Sequence, residues 1–232
     1  GSNQILVQKE DDTTDRHWYI RLKDNGSADN YGSVSFMLSG SAVGLDQGQY
    51  KEMVTDELPV YDGDFYSVMV KRMVASDTPS VSQSYELHVG KYDAGRSKIH
   101  LYQKSTMDVT QAASSSFNLA WTGSGDIYIG GKEDVAGVGV QLSGSVMEYR
   151  HWTETLNSSS FKNHVGNPKA FDGNTISSSY SNLVLRYSFN DDKDLSSDTE
   201  GIRDVSANST INYSGSHNGF TGNFYSSVVD EL

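Results

Sequence analysis

The stretch from Gly125 to Asn157, GDIYIGGKEDVAGVGVQLSGSVMEYRHWTETLN, gathers residue types that chemistry uses. Its Gly130-Gly131 pair suggests a phosphate loop, and Glu148, Arg150, His151 and Trp152 suggest a catalytic constellation. Each reading carries a positional requirement. A phosphate loop needs backbone N–H groups at the start of a helix. Ile127 and Ile129 instead alternate around Tyr128 and run into the glycines, with no helical apolar pattern after them. The pair therefore reads as the end of a strand. From Gly144 to Trp152 the period is again two, with Met147, Tyr149 and His151 on one face and Val146, Glu148, Arg150 and Trp152 on the other. Glu148 and Arg150 become same-side neighbours on a half-wet strand. A cross-pleat ion pair explains them with fewer demands than catalysis.

Other catalytic patterns fare no better. Glu148 and Glu154 are six apart, and Asp62 and Asp64 sit in a turn sequence. Neither pair sets two carboxylates on one strand, the ~5 Å arrangement that retaining glycoside cleavage needs. His17, His88, His100, His151, His164 and His217 are scattered, without a His-x-x-x-His or His-Glu-x-x-His zinc spacing. Gly123-Ser124-Gly125 and Gly215-Ser216 lack the strand-to-helix context of a nucleophile elbow. The absence of cysteine removes thiol catalysis, thiolate-bound zinc and disulfides together. The expectation is a protein that is not an enzyme.

The elements that must position these residues follow from the period of the apolar pattern. Val34, Phe36 and Leu38 alternate with Ser35 and Met37; Tyr66, Val68 and Val70 with Ser67, Met69 and Lys71; Tyr85, Leu87 and Val89 with Glu86 and His88. These read as half-buried strands. Ile99 and Leu101, then Val140 and Leu142, continue the series, and Leu183, Leu185, Tyr187 and Phe189 share one face of a late strand. One helical stretch stands out, Ser158 to Val165, with Phe161 and Val165 four apart and Pro168 beyond. With 22 glycines and three prolines in 232 residues, the reading is an all-β sandwich with one short helix near residues 158–165. One core is expected over residues 3–232, with Gly1-Ser2 as an expression scar and residues 190–215 as a polar segment at a module boundary. The net charge of −12 opposes binding to a phosphate backbone, and no apolar run approaches the ~20 residues of a membrane-spanning helix. Neither nucleic acid nor membrane insertion is expected.

The pieces GDIYIGG and QLSGSVMEYRHWTETLNSSSFKNH together resemble the end of a laminin-G-like or pentraxin-like module. LPVYDGDFYSVMVKRM resembles the turn-then-strand segment of the same family, with Asp62-Gly63-Asp64 as the turn. The resemblance implies a concanavalin-A-like jelly roll, two curved antiparallel sheets packed face to face. The Glu-x-Asp-x-x-Glu strand of glycoside hydrolases with that fold does not occur, and neither does the cysteine pair of many animal laminin-G modules. A narrower resemblance, carried by EYRHWTETLNSSSFKNHVGNPKAFDGN and LVLRYSFND, is to segments of virion structural proteins of T4-like marine tailed phages. It implies a tail, neck or fibre module located in the virion, or otherwise at a cell surface, whose partners are other virion proteins or a cell-surface glycan.

Two functions follow as expectations, a structural or adhesion module and a lectin-like carbohydrate-binding module. Sugars stack on flat aromatic faces beside hydrogen-bonding side chains. Trp18 and Trp152 alternate with polar neighbours and read as sheet anchors, which leaves Trp121 as the candidate platform. The residues themselves name no cofactor. The resemblance implies Ca²⁺ in loop carboxylates, with Asp62, Asp64, Glu133 and Asp134, and after them Asp191 and Asp192, as oxygen donors of suitable hardness. The plainer reading of acidic loops is solvation.

Overall fold

A computed structural model describes residues 2–9, 17–24, 30–39, 50–73, 82–110, 126–131, 139–187, 213–217 and 220–224. Among them the strands are β1 (Gln4–Lys9), β2 (His17–Asp24), β3 (Gly32–Ser39), β4 (Tyr50–Val54), β5 (Ser67–Arg72), β6 (Ser82–Asp93), β7 (Lys98–Thr110), β8 (Ile127–Ile129), β9 (Val140–Gln141), β10 (Tyr149–Trp152), β11 (Leu183–Tyr187), β12 (Tyr213–His217) and β13 (Phe220–Phe224). Two helices, α1 (Ser158–Gly166) and α2 (Ile176–Ser181), separate β10 from β11. The protein is mostly β, in several antiparallel sheets, as the period-two pattern requires.

One sheet runs β4-β3-β2-β1-β8, with β9 joining β1 in parallel. A second runs β5-β6-β7, and β10 with β11 and β12 with β13 form two-stranded ribbons. Trp18, Val34, Phe36, Leu38, Met53 and Leu58 of the first sheet and its flank share one apolar cluster with Tyr85, Leu87, Val89, Met107 and Val109 of the second. The two sheets thus meet across a common core. The Phe36 ring touches both Trp18, at 6.4 Å, and Tyr85, at 5.7 Å, so aromatic packing continues from one sheet to the other. Trp18 is a core anchor, as its alternation implies.

The inward faces agree with the sequence pattern. The outward faces do not. In β3 the residues read as solvent-facing, Ser35 and Met37, are 0% and 1% exposed, and in β6 Glu86 and His88 are 6% and 0% exposed. Half-buried strands were expected from the alternation; these two are buried on both faces. Met37 joins Ile5 and Tyr19 in a second apolar cluster, and Arg21, 5% exposed, is neutralised there by Glu52 at 2.7 Å. The outer face of β6 is covered by α1, whose Phe161 ring lies 5.8 Å from the His88 ring. Period-two patterning records which residues are apolar, and polar residues that bring their own counter-charges can be buried without disturbing it.

Helix α1 forms where Asn157 can cap it: the side-chain oxygen accepts the Ser160 N–H at 2.8 Å, and Phe161 and Val165 face inward. The single-helix expectation is corrected by α2. Its i, i+4 pair, Ile176 and Tyr180, lies on the exposed side, and its buried residues are Ser178 and Ser179. It is held by a capping box in which Thr175 accepts from the Ser178 N–H at 3.1 Å and the Ser178 hydroxyl accepts from the Thr175 N–H at 2.8 Å.

Candidate functional site

Gly130 and Gly131 have φ of 83° and 85°, a left-handed backbone that glycine adopts without strain. They follow β8, whose pairing with β1 they end, and the Gly130 N–H donates to Leu6 O at 2.7 Å. The following residues 132–138, which include Glu133 and Asp134, lie outside the described residues, as do Trp121, Asp191 and Asp192.

The Glu148 cluster is built by the β10–β11 ribbon, which sets Arg150 opposite Arg186. Arg150 Nη2 lies 3.5 Å from Glu148, the same-side pair that alternation suggests. The tighter partner is Arg186, whose Nη2 and Nε donate to Glu148 Oε1 at 2.8 and 3.2 Å. The strand is half-buried, as the alternation implies, but the Glu148 side chain itself is only 6% exposed. The two guanidinium groups are tied to the connecting segment as well, Arg150 to Pro168 O and Arg186 to Lys169 O. Burial pulls the Arg150 guanidinium down to about 10, with Glu148 opposing and Arg186 adding to the fall. Trp152 stacks on His164 at 6.0 Å and 20°.

The Asp62-Gly63-Asp64 turn puts both carboxylates on one ammonium. Lys91 Nζ lies 2.5 Å from Asp62 Oδ2 and 2.5 Å from Asp64 Oδ2, and 5.1 Å above the Tyr66 ring. The Asp64 N–H donates to Asp62 Oδ1 at 3.0 Å, and the Tyr66 hydroxyl reaches Asp62 Oδ2 at 2.9 Å. Burial alone would raise the Asp62 carboxyl, but Lys91, the Asp64 N–H and Tyr66 outweigh it and hold it low. Tyr66 is pushed up to about 12 by burial and by the Asp62 charge. For Lys91, burial opposes the charged form and the bonds to Asp62 and Asp64 override it. A Ca²⁺ ion entering between Asp62 and Asp64 would have to displace this ammonium. Among the described residues no group of three or more His, Asp or Glu side chains converges to hold a metal ion.

The densest constellation is one that motif reading passes over. Glu86 and His88 stand two apart on the outer face of β6, with Lys71 of β5 opposite Glu86 and Lys104 of β7 opposite His88. Glu86 accepts from Lys71 at 2.8 Å, from His88 Nε2 at 2.9 Å and from Lys104. His88 Nδ1 meets the Tyr102 hydroxyl at 2.7 Å. The neutral tautomer that satisfies both contacts carries its proton on Nε2 and accepts from Tyr102. Burial would raise the Glu86 carboxyl, but Lys104, Lys71 and His88 together bring it to about 2. Burial lowers His88, against the pull of Glu86. Lys71 also donates to Leu156 O at 3.2 Å, which ties the network to the segment entering α1.

A carboxylate, an imidazole and a hydroxyl in a row have the order of a proton relay. Here the imidazole is fully buried beneath Phe161 and the carboxylate is saturated by three donors, so the row acts as an internal strut. A sequence signal for it exists. Glu86, His88, Lys71 and Lys104 all stand at outward positions of neighbouring strands with complementary charge, but pairing register is needed to bring them together. Comparison of the chain with family models, curated proteins and solved structures yields no match.

Proposed function

We propose that this chain is a non-catalytic structural or adhesion module on a concanavalin-A-like jelly roll, of the kind its sequence resembles in virion proteins of tailed phages. Its work is attachment, to other virion proteins or to a cell-surface glycan. The observation that carries the reading is the closure of the described charge clusters on themselves: Asp62 and Asp64 on Lys91, Glu86 on Lys71, Lys104 and His88, Glu148 on Arg150 and Arg186. A general acid or base must reach substrate with a proton to give or take. Groups held by internal partners at these distances support architecture instead.

The carbohydrate-binding reading draws on one specific place. Phe65 is 54% exposed and follows Asp64, whose side chain is 63% exposed, on the rim turn. A bare ring beside polar groups suits a sugar face. Such a site on an open rim buries little surface, and a single contact of this kind gives a dissociation constant near millimolar, roughly −4 kcal/mol. Many copies on one particle would raise the effective affinity. The test is a glycan array probed with multivalently displayed protein, with and without Ca²⁺, followed by Phe65→Ala and Trp121→Ala on any hit. Retention that survives chelation and falls with Phe65→Ala supports rim attachment, and silence under both conditions assigns the module to protein attachment. Release of shortened oligosaccharides contradicts the proposal.

A further inference from the structure

Helix α1 carries one buried imidazole and rests on another. From below, His88 of β6 is 0% exposed and meets the Phe161 ring edge-on at 5.8 Å. From within the helix, His164 is 5% exposed, stacks on Trp152 of β10 at 6.0 Å and approaches Asp172 O with Nε2 at 2.9 Å. Between them Val165 lies against Gly90, where an added Cβ would stand 2.7 Å from Val165 Cγ2. The helix is also held to the sheet by the Phe161 and Tyr102 rings at 6.2 Å and by the lead-in, where Thr155 Oγ1 donates to Arg72 O at 2.7 Å and Lys71 donates to Leu156 O.

Among the described residues, charged groups come to both rings from several elements. Lys71 on β5, Glu86 on β6, and Tyr102 and Lys104 on β7 surround His88, with Lys162 of α1 above the Tyr102 ring at 4.7 Å. Around His164 stand Arg150 of β10, Arg186 of β11 and Asp172 of the segment before α2. Glu148 is engaged by both arginines, and Asp172 Oδ2 accepts from Asn163 at 2.6 Å. Among the described residues each ring therefore meets two cations and one carboxylate already in use. A proton added to either ring places a third positive charge in a closed interface. The Trp152 face favours a cation, but the two guanidinium groups beside it oppose one.

We propose that α1 is an acid-released clamp: protonation of His88 frees the helix from the β5-β6-β7 sheet and protonation of His164 frees it from β10 and the Asp172 segment, while the core between the two main sheets stays folded. The direction of both imidazole equilibria agrees, since burial lowers His88 and takes His164 to about 4. The face uncovered would carry Phe161, Val165 and Leu156, all buried in the structure. Acidification would then expose an apolar surface on an attachment module, and the clamp stands whether or not the attachment reading does.

Hydrogen exchange of the full chain, corrected for the intrinsic pH dependence of exchange, tests this. Between about pH 7 and about pH 4.5 the amides of Phe161 to Val165 should lose at least about tenfold of their protection while those of Val34 to Leu38 keep theirs. His88→Gln with His164→Gln supplies neutral donors in place of both Nε2–H groups, and it should flatten the response of α1. If the double variant does not fold, His164→Gln alone should reduce the response. Loss of protection in α1 and β3 at the same pH, retention in α1 throughout, or an unchanged response in a folded variant would each overturn the proposal.

Discussion

Glu148 and Asp64 are both acidic residues next to cations, and the surroundings give them opposite weights. The Glu148 side chain is 6% exposed between Arg150 and Arg186, whereas the Asp64 side chain is 63% exposed. Removing one partner of a buried ionic cluster leaves uncompensated charge behind, at a cost of about 3 kcal/mol. A surface pair is worth about 0–1 kcal/mol because water screens it and the side chains must be ordered. Glu148→Gln is therefore expected to lower the urea midpoint by the equivalent of about 3 kcal/mol, and Asp64→Asn by less than about 1 kcal/mol. Equal midpoints for the two variants would contradict the geometry. The alternation of Val146, Glu148 and Arg150 made the same-side pair legible in sequence, but Arg186, 38 residues later, came to light only with the β10–β11 register.

Among the elements, α1 and α2 separate what a sequence announces from what it conceals. Helix α1 has an Asn cap, an apolar i, i+4 pair and a proline beyond its end, and each of these is a local signal. Helix α2 turns Ser178 and Ser179 inward, leaves Ile176 86% exposed and rests the half-open Tyr180 ring against Phe171, so its apolar residues do not mark its buried face. Strands β3 and β6 conceal their outer burial for a related reason: Ser35, Glu86 and His88 are polar, and only tertiary contacts show that they are covered. The seat of α1 depends on a glycine in β6, because the helix approaches the strand too closely for a side chain. Gly90→Ala would bring a Cβ to 2.7 Å from Val165 Cγ2. The expected cost is about 1–3 kcal/mol, with a near-neutral rescue on adding Val165→Ala. Additive destabilisation in the double variant, measured by urea unfolding, would show that the two residues do not meet.

For the whole molecule, charge burial predicts two steps in acid. His164 has its ordinary value of 6.5 lowered to about 4, so the folded state prefers it neutral, and that stability is complete above 6.5 and lost as pH falls towards about 4. Glu86 is lowered from 4.5 to about 2, so its contribution is complete above 4.5 and lost as pH falls towards about 2. Each is on the order of 3 kcal/mol, at ~1.36 kcal/mol per pKa step. Stability should thus decline from about pH 6.5 downward, with Glu86→Gln reducing the lower part of the decline and His164→Gln the upper part, to which the buried His88 and His151 also contribute. A profile flat to pH 4 in the unaltered protein would contradict this. The same closed charge clusters support the proposal that this chain attaches and does not catalyse. The most direct measurement is mass spectrometry of oligosaccharides incubated at length with multivalently displayed protein, with and without Ca²⁺. The account predicts that every glycan, bound or unbound, is recovered at its original length. Shortened or transferred products, lost on a single carboxylate substitution that leaves the fold intact, would contradict it.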